Sequence, residues 1–221
     1  MPSRAQPTLL LTRPVDDSRR FSALLPGLPT VISPIIRIVD VPHDGAMLAD
    51  APALVFTSGH AIASAGPGRG RPAYCVGPRT AELARGAGFK VIQGPGDAER
   101  LLPLLESATM PLIHPRGRHV ARQLPVRDVV VYDQRPLALN EQAMGLLQSD
   151  APVILPLFSP RSAALLAQQL GDSRALLWVA AISRAASDAF AVTARKRVIA
   201  PTPDAPGLVR AIRAILAEQQ S

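Results

Sequence analysis

The stretch ALVFTSGHAIASA, residues 53–65, holds the pattern that decides the fold. An apolar run ends at Thr57 and Ser58, and helix-forming residues follow. The pattern returns in VILPLFSPRSAALLAQQL, residues 153–170, where the apolar run ends just before Ser159. A short apolar run that stops at turn residues and leads into a helical pattern is typical of one βα unit in a parallel sheet. The chain therefore builds a strand–serine–helix corner twice.

Strands and helices alternate along the rest of the chain. Predicted strands lie at 8–12, 30–34, 35–41, 53–58, 73–77, 90–94, 111–115, 126–136, 153–158, 176–182 and 197–201. Predicted helices lie at 15–28, 59–66, 78–88, 98–108 (interrupted by Pro103), 117–124, 140–148, 160–170, 184–193 and 205–219. This alternation predicts an α/β fold with parallel sheets, in which loops at the carboxyl ends of strands form the ligand crevice.

An internal repeat indicates two domains. LLLTRP (9–14) is similar to LIHPRG (112–117), but the first copy precedes its neighbouring strands and the second follows the block 53–92. Insertion of one domain into the other explains this change of order most simply. We therefore expect two similar parallel-sheet α/β domains joined by a two-stranded β linker. Residues 1–34 and 137–221 would form domain 1, 42–127 the inserted domain 2, and 35–41 and 128–136 the linker strands.

Composition limits the class of protein. Hydrophobic residues make up 48% of the chain, which is enough for packed cores, although aromatic residues make up only 4%. The single cysteine, Cys75, excludes an internal disulfide framework and a multi-cysteine metal site, and it suits a reducing compartment. The N-terminal apolar run is too short for a signal peptide, and no stretch approaches the roughly 20 apolar residues of a membrane span. We expect a cytoplasmic protein without membrane contact.

The net charge of +7 indicates an anionic partner, either nucleic acid or a small polyanion. Of 24 basic residues, all but Lys90 and Lys196 are arginine, whose fork binds carboxylates and phosphates in bidentate fashion. A GC-rich coding sequence would also enrich arginine. Nucleic-acid binding is not favoured, because the basic residues are scattered and lack interleaved aromatic residues.

Motifs for several common chemistries are missing. His43, His60, His114 and His119 show no metal-ligand spacing. The glycine-rich loops lack the Gly-Lys-Ser/Thr ending of a P-loop, and no GxGxxG follows the first strand. Ser58 lacks the Gly-x-Ser-x-Gly pattern of a nucleophile elbow. The sequence therefore predicts no metal site, no P-loop and no dinucleotide cofactor.

A set of motifs along nearly the whole chain resembles one enzyme family. They are LLLTRP, SPIIRI, VFTSGHAI, CVGPRTAELARGAGF, LIHPRG, VVVYDQRP, LFSPRSAALL, AAISRAASDAF and APTPDAPGLVRAI. In this order and spacing they resemble the uroporphyrinogen-III synthase family. The resemblance implies two α/β domains on a two-stranded linker, with the active site in the cleft between them and the two serine corners facing each other across it.

The activity that the resemblance implies is cyclisation of the linear tetrapyrrole hydroxymethylbilane to uroporphyrinogen III, with loss of water and inversion of ring D. This reaction of tetrapyrrole biosynthesis needs no cofactor. The substrate carries many carboxylates, which suits arginines and helix N-termini. It can ionise unaided to an azafulvene, so the enzyme acts mainly by positioning, and a general acid near the leaving hydroxyl would assist.

The resemblance also nominates site residues. Tyr132 matches the family's tyrosine that is proposed as proton donor; the alternative is a linker-strand tyrosine with a solvated hydroxyl. The expected substrate-binding residues are Arg13, Thr57, Ser58, Gly77, Thr80, Arg116, Ser159, Arg161 and Ser183. Simple helix capping is the alternative for the serines and threonines, and a solvated surface charge is the alternative for the arginines.

One motif departs from the family pattern. In ISRAAS, residues 182–187, Ser183 replaces a glycine and Ala186 a threonine. Either Ser183 supplies the lost hydroxyl, or this side of the cleft binds more weakly. The alternative function is a two-domain module that binds a small anion without catalysis. We expect a monomer, with transient contact with the preceding pathway enzyme as a further possibility.

Overall fold

The computed structural model describes residues 6–96, 98–120, 122–171 and 173–220. Residues 1–5, 172 and 221 of the predicted domain 1, and residues 97 and 121 of the predicted domain 2, lie outside the described residues. Chain contacts divide the protein into two compact units. Unit 1 consists of Met1–Arg37 and Pro136–Ser221, and unit 2 consists of Ile38–Arg135.

Strands and short helices alternate in both units. The strands are β1 (Thr8–Leu11), β2 (Thr30–Ile32), β3 (Ile36–Asp40), β4 (Ala53–Phe56), β5 (Pro72–Cys75), β6 (Lys90–Gln93), β7 (Leu112–Gly117), β8 (Arg127–Pro136), β9 (Pro152–Leu157), β10 (Leu176–Ala181) and β11 (Lys196–Ile199). The helices are α1 (Val15–Ser22), α2 (Gly45–Ala49), α3 (Pro78–Gly86), α4 (Ala98–Glu106), α5 (Glu141–Leu147), α6 (Pro160–Ala167), α7 (Arg184–Asp188) and α8 (Ala205–Gln220). The fold is α/β with parallel sheets, as predicted.

The two sheets have matching strand orders. Among the described residues, unit 1 contains a five-stranded sheet in the order β11-β10-β9-β1-β2, with parallel pairs throughout. The other sheet has six strands in the order β3-β8-β7-β4-β5-β6, and its pairs from β8 to β6 are parallel. The strand β7 thus occupies the place in unit 2 that β1 occupies in unit 1, and β4, β5 and β6 correspond to β9, β10 and β11.

Strands β3 and β8 are neighbours in the six-stranded sheet and contain the boundaries between the units. The amide of Val41 donates to the carbonyl of Val131, and the amide of Leu137 donates to the carbonyl of Ile35. Because residue numbers rise on one strand as they fall on the other, the two strands run antiparallel.

Each sheet buries apolar side chains on both faces. In unit 1, Leu10 packs in one cluster, while its neighbours Leu9 and Leu11 pack on the opposite face against the helix α8. In unit 2, Leu54 and Phe56 lie on one face and Val55 on the other. This alternation explains why the strands read as unbroken apolar runs, as is typical of parallel sheets covered on both sides.

Three local predictions were wrong. The predicted helix 59–66 forms two short 3-10 turns, Gly59–Ala61 and Ala63–Ala65, and ends at Gly66, whose φ is 64°. The predicted helix 117–124 is absent from its described residues: Gly117 extends β7, and the amide of Arg118 donates to a carbonyl on β8. The helix α4 runs through Pro103 without interruption.

Candidate functional site

Most of the site residues predicted in unit 2 lie at one edge of its sheet. Thr57 and Ser58 follow the carboxyl end of β4, and Gly77 lies just beyond β5. Gly117 ends β7, and it pairs with Tyr132 across the ladder to β8. Because these strands are parallel, their carboxyl ends share one edge of the sheet. The structure therefore brings the predicted residues of unit 2 to the edge where α/β proteins bind ligands.

A buried histidine holds Thr57. The Nε2 atom of His114 on β7 lies 2.9 Å from the Oγ1 atom of Thr57. His114 is only 1% exposed, and this burial lowers the pKa of its imidazole to about 4, with Arg116 lowering it further and Asp128 opposing the shift. The imidazole is therefore neutral near pH 7 and forms a fixed hydrogen bond with the corner residue.

Arg116 is paired inside the unit. Its Nε atom donates to Oδ2 of Asp128 at 2.7 Å, and its Nη1 atom donates to the carbonyl of Gly117 at 3.0 Å. Both charged side chains are mostly buried, with exposed fractions of 16% and 22%. The alternative of a solvated surface charge at Arg116 is therefore wrong, and its predicted contact with substrate stays a prediction.

Tyr132 lies on β8 with its ring buried and only 5% of the residue exposed. It packs in the apolar cluster of unit 2, and its ring meets that of His60 edge-to-face at 5.8 Å between centroids. Within the described residues, no hydrogen bond fixes its hydroxyl. The ring is therefore held by packing rather than by a polar partner, and its role as proton donor stays a prediction.

The helix α3 begins beside this edge. Gly77 is its N-cap and Pro78 its first residue, as the sequence predicts, and among the described residues no side chain caps the first turn. Thr80 lies in that turn and is buried. Unsatisfied amides at a helix N-terminus, together with the helix dipole, favour an anion.

Arg13 follows β1, the first strand of unit 1, two residues beyond its end. Its guanidinium lies 4.6 Å from the centre of the Phe158 ring and bonds Oδ2 of Asp17 at 3.1 Å. Burial lowers the pKa of Arg13, and the Asp17 carboxylate opposes that shift. The side chain keeps 35% of its surface exposed, so this stacked arginine is both oriented and accessible.

The serine corners of unit 1 cap their helices. The Oγ atom of Ser159 accepts from the amide of Ser162 at 3.1 Å, and that of Ser183 accepts from Ala186 at 3.2 Å. Ser58 of unit 2 caps its 3-10 turn in the same way. The capping interpretation is therefore confirmed for all three serines. Their contacts with substrate, and that of Arg161 in the first turn of α6, stay predictions.

Two other arginines, Arg71 and Arg197, stabilise loops by hydrogen bonds to backbone carbonyls. Arg71 donates to carbonyl oxygens of Leu48, Ala49, Ala51, Ala65, Pro67 and Gly68. Arg197 donates to the carbonyls of Ser187, Phe190 and Val192. Part of the arginine excess thus satisfies loop carbonyls and is not a binding surface.

The remaining chemistry is limited. Burial raises the pKa of the Cys75 thiol to about 11, so it is not a thiolate nucleophile at neutral pH. Across the described ranges, no group of three or more His, Cys, Asp or Glu side chains could hold a metal ion. In that same part of the chain, every helix is too short or too polar to cross a bilayer.

Sequence reasoning missed the role of His114. The residue was considered only as a metal ligand, for which its spacing is wrong. Its position two residues before Arg116, on a strand whose end was already nominated, was the available signal. Its partner on β4 could not be found without the strand order, since the two residues are far apart in sequence.

Comparison with known proteins agrees with this architecture. The chain shares 16% identity with the uroporphyrinogen-III synthetase of Helicobacter pylori, with a TM-score of 0.66 over 95% of this chain and 99% of that one. A mutant uroporphyrinogen III synthase of Thermus thermophilus aligns with a TM-score of 0.54 and 16% identity, over 96% and 99% of the two chains. No curated protein matches the chain. At this identity the structural likenesses establish the fold alone.

A family model decides the relationship. The model described as uroporphyrinogen-III synthase HemD matches residues 26–210, which is most of the chain. This match confirms the family, and with it the enzyme class, that the sequence motifs predict. The chain belongs to the uroporphyrinogen-III synthase family.

Proposed function

We propose that the chain cyclises hydroxymethylbilane to uroporphyrinogen III, with loss of one water and inversion of ring D, as a step of tetrapyrrole biosynthesis. The observation that carries the proposal is the family match over residues 26–210. The site geometry is compatible with it: the carboxyl edges of the sheets present hydroxyls, helix N-termini and an oriented arginine, and these groups suit a substrate with many carboxylates.

In unit 2, the substrate's carboxylates would meet α3 and Thr57. The first turn of α3 offers amides that no described side chain caps. When Nε2 of His114 carries the ring proton, it donates to Thr57 Oγ1 and leaves the threonine hydrogen available for a substrate oxygen. Because His114 stays neutral, it adds no charge that competes with the arginines for carboxylates.

In unit 1, Arg13 is the better supported of the two arginines nominated there. Stacking on Phe158 and the bond to Asp17 orient its guanidinium, and the accessible surface leaves donors for a carboxylate. Ser159 and Ser183 use their oxygens as caps. The Oγ atom of Ser159 also lies 2.8 Å from that of Ser162, so the hydroxyl hydrogen of Ser183 is the better placed of the two to meet substrate. For Ser183, this would supply the hydroxyl lost with the family's threonine.

Tyr132 is the proposed general acid. The C–O bond of the hydroxymethyl group breaks with its electron pair on oxygen, and the tyrosine hydroxyl gives the proton that makes this group water. The adjoining pyrrole supplies the electrons and releases its N–H proton, which leaves a neutral azafulvene, and the tyrosinate recovers a proton. The substituted carbon of the last ring then attacks. General acid catalysis of this kind contributes about 10²–10⁴-fold.

The proposal includes the finer organisation expected from sequence: domain 1 formed by 1–34 and 137–221, the inserted domain 42–127, and the linker strands 35–41 and 128–136. The matching strand orders of the two sheets support it. We further propose a cytoplasmic monomer that works without a cofactor.

Time courses with freshly prepared hydroxymethylbilane test the catalytic assignment. Tyr132→Phe keeps the packed ring and removes only the hydroxyl, so kcat is expected to fall by about 10²–10⁴-fold with KM little changed. Tyr74→Phe, on β5, is the matched control. An unchanged kcat in Tyr132→Phe would show that the tyrosine only packs.

A further inference from the structure

The position of the Tyr132 ring depends on Gly117, a residue that has no side chain. Gly117 ends β7 and is the ladder partner of Tyr132 on β8. A Cβ atom placed on Gly117 would lie 2.6 Å from both Cε2 and Cζ of the tyrosine ring and 2.9 Å from its hydroxyl oxygen. Carbon atoms do not approach this closely, so any side chain at 117 must displace the ring or the strand.

A β-bulge creates this pairing. Arg116 pairs with Val130, but the next residue, Gly117, pairs with Tyr132, so β8 carries Val131 as an extra residue. Successive side chains of a strand point to opposite faces, and a shift of one residue therefore moves Tyr132 to the face that Gly117 leaves empty. The amide of Arg118 donates to the carbonyl of Tyr132 at 2.9 Å, which fixes the register just after the bulge.

Neighbouring apolar and aromatic side chains hold the Tyr132 ring in this position. Val131 and Tyr132 are both buried in the apolar cluster of unit 2, and the His60 ring meets the phenol from another element, the first 3-10 turn. Within the described residues, no polar partner orients the phenol hydroxyl. The position of the hydroxyl is thus set by packing. The ring occupies the space that a side chain at position 117 would fill, so one added carbon atom there would displace it.

We propose that Gly117 is a positioning residue for the reaction: by lacking a side chain opposite the bulge, it determines where the Tyr132 hydroxyl lies. This inference rests on the proposed function, because it assigns the position a catalytic purpose. The glycine is required here for space and not for backbone conformation, since its φ is not positive.

The first test reads the ring directly. The chain has two tyrosines, Tyr74 and Tyr132, so ring-labelled tyrosine gives two sets of NMR signals, and Tyr132→Phe identifies which set belongs to Tyr132. Gly117→Ala is expected to shift the Tyr132 ring signals and leave those of Tyr74 in place. Gly86→Ala, on α3 with open space around its Cβ position, is the matched control and should shift neither. Unmoved Tyr132 signals in Gly117→Ala would overturn the proposal.

The second test reads the reaction. Gly117→Ala is expected to lower kcat for hydroxymethylbilane by about 10²-fold with KM little changed, as misplacement of a catalytic group by about 1 Å does. In a Tyr132→Phe background the same change should alter kcat less than about twofold, because the hydroxyl it positions is gone. If Gly117→Ala displaces the ring but leaves kcat unchanged, the proposed role of Gly117 in the reaction is wrong.

A third variant covers the case in which Gly117→Ala folds poorly. Leucine at 132 lacks the Cε2, Cζ and hydroxyl atoms that the new Cβ would meet, so Gly117→Ala should destabilise the wild-type chain but not Tyr132→Leu. Equal destabilisation in both backgrounds would contradict the proposed close packing of the Tyr132 ring against Gly117. If the wild-type chain forms no type III product, the proposed function is wrong, and so is the catalytic role of Gly117. The NMR signals of the Tyr132 ring would still show whether Gly117 determines the position of that ring.

Discussion

The Nε2 atom of His114 lies 2.9 Å from the Oγ1 atom of Thr57, across two neighbouring parallel strands. This hydrogen bond joins the end of β4 to β7 inside a buried part of unit 2. Its histidine remains neutral at neutral pH, because burial disfavours the imidazolium more than the nearby Asp128 carboxylate favours it.

The first prediction concerns pH. The pKa of His114 is about 4 in the folded chain against an ordinary value of 6.5. Between these values the unfolded chain binds more protons, so the free energy of unfolding falls as pH is lowered from 6.5 to 4. The contribution is at most about 3 kcal/mol. Chemical denaturation across this window should show a shallower dependence for His114→Gln than for wild type, and parallel curves would contradict the account.

The second prediction separates two roles of Arg116. If its pairing with Asp128 dominates, Arg116→Gln lowers the free energy of unfolding by about 1–3 kcal/mol, because a largely buried carboxylate loses its partner. Adding Asp128→Asn should recover part of this loss, and Arg127→Gln on the exposed side of β8 is the control. Unchanged stability combined with a raised KM would instead identify Arg116 as a substrate-binding residue.

The third prediction concerns the cap at Ser159. Ser159→Ala is expected to lower the free energy of unfolding by about 1 kcal/mol, since the amide of Ser162 loses its acceptor. Ser159→Asn keeps an acceptor and should restore stability. If KM rises in both variants, the hydroxyl also binds substrate; if KM is unchanged in both, the serine acts as a cap alone and the predicted binding role is wrong.

The fourth prediction concerns Arg71, which bonds six carbonyls in the described part of unit 2. Lysine has one nitrogen and cannot reproduce the planar fork, so Arg71→Lys should lower the free energy of unfolding by about 2–4 kcal/mol. Arg69→Lys, at an exposed neighbour, should have almost no effect. A thermal or denaturant unfolding curve for each variant decides this, and equal midpoints would contradict the role.

Most of the fold could be predicted from the sequence because the strands are buried on both faces. Apolar runs such as 53–56 and 153–157 reveal such strands directly, and helices of about ten residues between them leave parallel pairing as the simplest arrangement. The repeated strand–serine corner and the displaced copy of LLLTRP also follow from sequence, since they need only the order of motifs, although 3-10 turns replace the helix predicted after the first corner.

The errors occur where contacts distant in sequence decide the local structure. The segment predicted as a helix from residue 117 has a helix-like composition, yet pairing with Tyr132 makes Gly117 the last residue of β7. Pro103 lies inside α4, where the buried Leu101 and Leu105 hold the helix against the sheet. The bulge at Val131 and the partner of His114 depend on strand neighbours, which the sequence does not display.

The most direct measurement is the isomer composition of the product. Purified chain is given freshly made hydroxymethylbilane, and the oxidised porphyrins are separated by isomer beside a reaction without protein. The account predicts mainly type III uroporphyrin with the chain and type I, the spontaneous product, without it. Type I in both reactions would contradict the account, and it would favour a chain that binds polycarboxylates without catalysing their cyclisation.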